Sequence, residues 1–331
     1  MRPALAVELA GVVGGAVGAA LVRRARRGPR RPGWSLRTEL AATAMRAVVM
    51  RSKRRGVPWL REAQTALALP TPLAARVAFE RDEVGGVPAL VARPHGRASA
   101  PEEPVVVHLH GGGYVIGAPE DQRDAIARLA LGLDARVVSV DYRLAPEHRF
   151  PAAHEDALAA TRAVLARTPA ERVVLAGDSA GGALCVATLC ALRDAGERLP
   201  AAAALLCPWT DPLAGGGSME TNADADFGDR ELLVGWIRTA AGEADPGDPR
   251  LRVVAADLRG LPPLLVQAGG GEVLLDAIRA FAAHAEAAGV DVELRVWDAL
   301  FHDFQLAAAQ LPEAAAAMEE VVGFLRKRVA S

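Results

Sequence analysis

The chain has 331 residues, of which 51% are hydrophobic, 24% charged and only 4% aromatic. Its 38 basic and 40 acidic residues leave a formal charge of -2, which excludes the basic surplus by which nucleic-acid binders meet phosphates. High apolar content with low net charge excludes a disordered chain. The three cysteines, Cys185, Cys190 and Cys207, lack metal-ligand spacing and read as small core residues in a reducing compartment.

In chain order, residues 4–22 form an apolar run interrupted by one charge, Glu8, and followed at once by RRARRGPRRP. The length suits a membrane span, and Gly11/Gly15 and Gly14/Gly18 carry the small-residue spacing that lets helices approach closely in lipid. Weakly hydrophobic Ala and Gly, together with Glu8, suit a helix packed on a cap equally well. If the run spans, the arginines hold the rest of the chain in the cytoplasm. Residues 34–73 are helical in pattern up to Pro70 and Pro72, and two extended runs around Gly85-Gly86 predict a hairpin over 75–94. Strands are then expected at 105–110, 136–142, 172–179, 202–209, 262–269 and 292–298, separated by helical stretches. Strands this apolar, alternating with helices, predict a mostly parallel α/β sheet covered on both faces. Residues 211–260 break the rhythm with a Gly/Asp/Pro-rich stretch and one helix near 229–241, which makes them a site for an inserted piece of cap.

Three motifs carry chemistry. Gly177-Asp178-Ser179-Ala180-Gly181 matches G-x-S-x-G between an apolar strand and an apolar helix, the setting of a nucleophile elbow. His110-Gly111-Gly112-Gly113-Tyr114 follows the strand at 105–110, and its glycine N–H groups are free to converge on one oxyanion. On such a sheet the triad order is Ser, acid, His. Of seven histidines, His302 alone follows the last strand; the other six read as structural. The acid belongs just after the strand ending at Gly269. Glu272 is the first carboxylate there, Asp276 the second choice, and Asp298 the third.

These residues resemble a known family. HGGGY (110–114), DYRLAPEH (141–148), GDSAGG (177–182) and FHDF (301–304) resemble, in order, the hormone-sensitive-lipase-like esterases, or bacterial family IV. PWTD (208–211) and PPLLVQAG (262–269) are similar too. The resemblance implies an α/β-hydrolase fold with a small N-terminal helical cap. On that reading residues 1–33 are an extension, 34–74 the cap and 75–331 the catalytic domain. It implies hydrolysis of esters with short to medium acyl chains, Ser179 as nucleophile, His302 as base, and Gly112, Gly113 and Ala180 as oxyanion donors. It implies neither metal nor cofactor, and it suggests a homodimer. Gly271 stands where many members carry an aspartate, so Glu272 follows the minority that use glutamate. Tyr114 and Trp209 are expected to touch substrate, and Phe227 and Trp236 are further aromatic candidates for the pocket. Asp141 and Arg143 are expected to form a charge network behind the glycine loop. The same apparatus serves an amide or lactone hydrolase. A non-catalytic receptor, like the family's plant gibberellin receptors, would lack the His that is present here.

Overall fold

Runs of Val, Leu and Ala too apolar to leave either face in water make the strands central. The computed structural model describes residues 3–68, 71–97 and 103–329. Two helices come first, α1 (Pro3–Arg27) and α2 (Leu36–Leu67), then the strands β1 (Val77–Val84), β2 (Val87–Pro94) and β3 (Val105–Leu109). The alternation continues with α3 (Arg123–Leu133), β4 (Arg136–Val140), α4 (Ala152–Leu165), β5 (Val173–Asp178), α5 (Ser179–Asp194) and β6 (Ala202–Leu206). The insertion carries α6 (Ser218–Thr221) and α7 (Arg230–Ala241), and β7 (Leu264–Gly269), α8 (Leu275–Ala287), β8 (Val292–Trp297) and α9 (Pro312–Val329) complete the chain. The expected strands and helices are all present, with ends moved by a few residues.

The eight strands form one sheet in the order β1-β2-β4-β3-β5-β6-β7-β8. β1 and β2 pair antiparallel through a turn at Gly85 and Gly86, both at positive φ, which glycine adopts without steric penalty. β2 also pairs antiparallel with β4, and every remaining pair is parallel. This is the α/β-hydrolase architecture the resemblance implies. Alternate side chains divide the core between the two faces. Val105, Val107, Val173 and Leu175 join α4, α5 and α8 on one side. Val106, Val174 and Ala176 join α3 and α9 on the other.

The first two helices pack on each other. Ser35 caps α2 by accepting the Thr38 N–H at 3.0 Å. α2 is not one straight helix: Gly56 leaves helical geometry at φ 81, two residues before Pro58, and both residues favour a kink. α1 is long and apolar enough to cross a membrane by length and composition. Here it lies along α2, and Glu8, Arg23 and Arg24 pair with charges on that helix. Glu8 pairs with Arg51 at 3.0 Å and Arg55 at 2.8 Å. At the other end Arg23 and Arg24 both reach the fully buried carboxylate of Glu39. The helix runs on to Arg27, past the apolar run and into the arginine cluster. Of the two prolines expected to end α2, Pro70 lies outside the described residues; the helix stops at Leu67.

Two fully enclosed histidines give the fold a pH dependence. His108 on β3 meets Ser139 Oγ at 2.8 Å, and burial pushes its pKa down to about 3. His110, just after β3, donates from Nδ1 to the Gly111 carbonyl at 2.8 Å, and burial pushes it down to about 4. Below the ordinary value of 6.5 the unfolded chain binds protons that the native fold excludes, so stability falls as pH falls. The expected slope approaches about 1.4 kcal/mol per pH unit for each histidine. Urea denaturation at successive pH values from 7 towards 5 measures it, and His108→Asn should remove about half of this contribution.

Candidate active site

The sharpest turn in the chain joins β5 to α5. Ser179 sits there at φ 50, a left-handed backbone that a serine holds only when its surroundings enforce it. Close packing of the turn excludes side chains on either side. A Cβ on Gly181 would lie 2.0 Å from the Leu109 carbonyl oxygen, and one on Gly177 would lie 2.6 Å from the Gly181 backbone. Ser179 thus stands at the carboxyl edge of the sheet, at the amino end of a helix whose first N–H groups have no partner within the helix.

His302 Nε2 lies 2.9 Å from Ser179 Oγ, and His302 Nδ1 lies 2.7 Å from Glu272 Oε2. The second carboxylate oxygen of Glu272 accepts the Gly269 N–H at 2.8 Å, which fixes the carboxylate to the end of its own strand. Both side chains are buried. Burial raises the Glu272 pKa, against the opposing pull of His302. Burial also works against protonating His302, but the carboxylates of Asp303 and Glu272 outweigh it and hold the imidazole well above its ordinary value. Asp276 points elsewhere, accepting the Ser218 N–H at 2.8 Å, and Asp298 is exposed.

The glycine loop is pinned to the elbow. Gly111 N–H donates to Asp178 Oδ1 at 3.0 Å, and Gln122 Nε2 donates to Asp178 Oδ2 at 3.1 Å. Burial, and then the nearby Asp303 carboxylate, push Asp178 up to about 8. Gly112 and Gly113 adopt φ 114 and 60, and a Cβ on Gly113 would meet Trp236 at 2.6 Å. Gly111 and Gly112 border the same cavity as Ser179, and Ala180 follows Ser179 in the first turn of α5.

Two expectations need correction. Asp141 and Arg143 form no joint network. Asp141 accepts from Arg81 at 2.6 Å, while Arg143 reaches Asp156 on α4 at 2.8 Å. Beyond the end of β4 the chain turns these two residues to different neighbours, and the residue between them holds the loop instead. Tyr142 donates its hydroxyl to the His110 carbonyl at 2.6 Å and stacks on the His110 ring at 4.2 Å. Nor do Tyr114 and Trp209 face the cavity. Tyr114 follows Gly113 at φ 63, which turns its ring into the protein, against Trp209 at 6.3 Å. Both are buried.

A cavity of about 380 Å³ opens at Ser179 and His302. Val48, Val49 and Leu60 of α2 wall it, with Ile116, Phe227 and Trp236 opposite. Phe227 stacks on the His302 ring at 4.5 Å. Its neighbour Asp226 is a residue that sequence reasoning missed. Asp226 is fully buried; one oxygen accepts the His302 N–H at 2.9 Å and the other the Val273 N–H at 2.7 Å. One carboxylate from the insertion therefore ties the His302 loop to the loop that follows Glu272. Nothing in the stretch NADADFGD distinguishes this aspartate from Asp224 or Asp229.

Comparison with known proteins agrees with this fold. Residues 106–306 match a family described as the alpha/beta hydrolase fold. An acetyl-hydrolase of Streptomyces hygroscopicus is 43% identical over 229 residues, covering 67% of this chain and 75% of the relative. The carboxylesterase/phospholipase LipF of Mycobacterium tuberculosis is 34% identical over 253 residues, covering 73% of this chain and 66% of LipF. Among solved structures, an esterase of the bacterial hormone-sensitive lipase family superposes with a TM-score of 0.82 at 40% identity, covering 90% of this chain and 99% of the other. With relatives this similar over most of its length, the chain belongs to the hormone-sensitive-lipase-like family of α/β-hydrolases and is a carboxylic ester hydrolase.

Proposed function

We propose that the protein hydrolyses short- to medium-chain acyl esters, with Ser179 as nucleophile, His302 as general base and acid, and Glu272 as the orienting carboxylate. The hydrogen-bond chain from Ser179 through His302 to Glu272 carries this reading. His302 Nε2 takes the Ser179 proton while Oγ attacks the ester carbonyl carbon. Glu272, bound at Nδ1, keeps the imidazole in the right tautomer and stabilises the imidazolium that forms. The N–H groups of Gly112, Gly113 and Ala180 hold the oxyanion, each worth about 3–4 kcal/mol where such donors have been removed. His302 then protonates the leaving alcohol, and water repeats the sequence on the acyl-enzyme.

The cavity supports this acyl length. Its volume lies at the small end for ligand sites, and its walls are mostly apolar, which supports a short or medium acyl chain over a long one. The Streptomyces relative's designation as an acetyl-hydrolase supports the same choice.

Ser179→Ala should abolish hydrolysis of p-nitrophenyl butyrate with the fold retained; persistent turnover would refute the assignment. Glu272→Gln should cost about 10⁴ in kcat by upsetting the tautomer, whereas Asp276→Asn should cost little. A larger loss in Asp276→Asn would overturn the choice of acid. Asp226→Asn replaces one acceptor oxygen by an NH₂ group facing a backbone donor. We expect kcat/KM to fall about 10²-fold through misplacement of His302 and Glu272, measured alongside the urea midpoint to separate positioning from unfolding.

A further inference from the structure

The loop that delivers His302 also delivers a second carboxylate to it. Asp303, the next residue, adopts φ 53, and its Oδ2 lies 3.1 Å from His302 Nε2. Ser179 Oγ lies 2.9 Å from the same nitrogen, and Glu272 Oε2 lies 2.7 Å from Nδ1. The imidazole is thus held between two carboxylates, one at each ring nitrogen. A neutral imidazole with its proton on Nδ1 turns a lone pair towards Asp303, and two lone pairs at that distance repel. An imidazolium donates to both carboxylates. The mechanism above uses Glu272 and leaves Asp303 without a role.

We propose that Asp303 is a second anionic partner of the catalytic imidazole, storing the resting enzyme as the imidazolium and setting the pH at which hydrolysis begins. The proposal rests on the reading of His302 as general base. The ionisable groups around the ring come from several elements. Glu272 follows β7, Asp303 shares the His302 loop, and Asp226 arrives from the insertion to take the His302 N–H. Asp178 ends β5 and is coupled electrostatically to both His302 and Asp303. Cys207, just after β6, brings its Sγ within 4.8 Å of a His302 ring nitrogen and an Asp303 carboxylate oxygen. The four carboxyl groups contribute no positive charge. Burial opposes charging the ring, but Asp303 and Glu272 together hold its pKa well above the ordinary value.

The proton balance is simple. The resting imidazolium releases one proton from Nε2 to solvent, and only then does Nε2 accept the proton of Ser179 as Oγ attacks. In the tetrahedral intermediate the imidazolium is restored, and Asp303 stabilises it again. Asp303 therefore strengthens the base and, by the same interaction, delays its availability to higher pH.

The test is the pH profile of kcat/KM for p-nitrophenyl butyrate, read at the isosbestic wavelength of the released nitrophenol, in the full chain and in Asp303→Asn and Asp303→Gly. Glycine suits the left-handed backbone, so the second variant removes the carboxylate without strain. We expect the acid limb of both variants to lie about one pH unit or more below that of the parent, a gain of about tenfold in relative rate on the limb. The ¹⁵N signals of the His302 ring should report imidazolium in the parent at neutral pH and a neutral ring in both variants. A parent limb in the ordinary histidine range, or a limb and ring signal unmoved in both folded variants, overturns the proposal. Should the parent neither hydrolyse the ester nor react with a serine-directed phosphonate, the esterase reading fails, and the ring titration still decides the role of Asp303.

Discussion

Parallel pairing is the constraint from which the site follows. β3, β5, β6, β7 and β8 run the same way, so their carboxyl ends lie along one edge of the sheet. The loop after β3 supplies the glycine amides, the turn after β5 the hydroxyl, the loop after β7 the carboxylate and the loop after β8 the imidazole. Residues as distant in the chain as 112 and 302 meet because each need only cross from its own strand end to a near neighbour. Open α/β sheets bind ligands at this edge for the same reason.

Strand ends alone leave loops free to wander, and the insertion restrains them. Asp226 accepts one N–H from each of the two loops that carry His302 and Glu272, and its own carbonyl accepts from Arg46 of α2 at 2.8 Å. α2, the His302 loop and the Glu272 loop are joined through one residue. A buried carboxylate in this position is tolerated because both its oxygens have donors; left unpaired it would be strongly destabilising.

How much of this was legible in the sequence depended on the kind of signal. Ser179 and Glu272 each follow a fully buried strand and His302 is the one histidine after the last strand, so strand ends and chain order were enough to choose them over Asp276 and Asp298. The hairpin at Gly85-Gly86 and the alternation of strands and helices were legible from period and breakers. Asp226 was not, because a Gly- and Asp-rich loop has no period and its acids are equivalent on paper. The grip of Tyr142 on the glycine loop was misassigned to its charged neighbours, since charge is easier to read than a stacked ring. The inward turn of Tyr114 and the approach of Asp303 to His302 both depend on left-handed backbone at non-glycine residues, which no composition rule announces.

The bend in α2 has a geometric consequence. Before Gly56, Arg46 is fastened to the Asp226 carbonyl; after it, Arg61 is fastened to the carbonyls of Val115 at 2.8 Å and Ala145 at 2.7 Å. One helix therefore bridges two segments, the one that holds the His302 loop and the one that follows the glycine loop. The angle at Gly56 fixes how far apart those fastenings stand, so a residue outside the cavity lining takes part in spacing the two sides of the cavity.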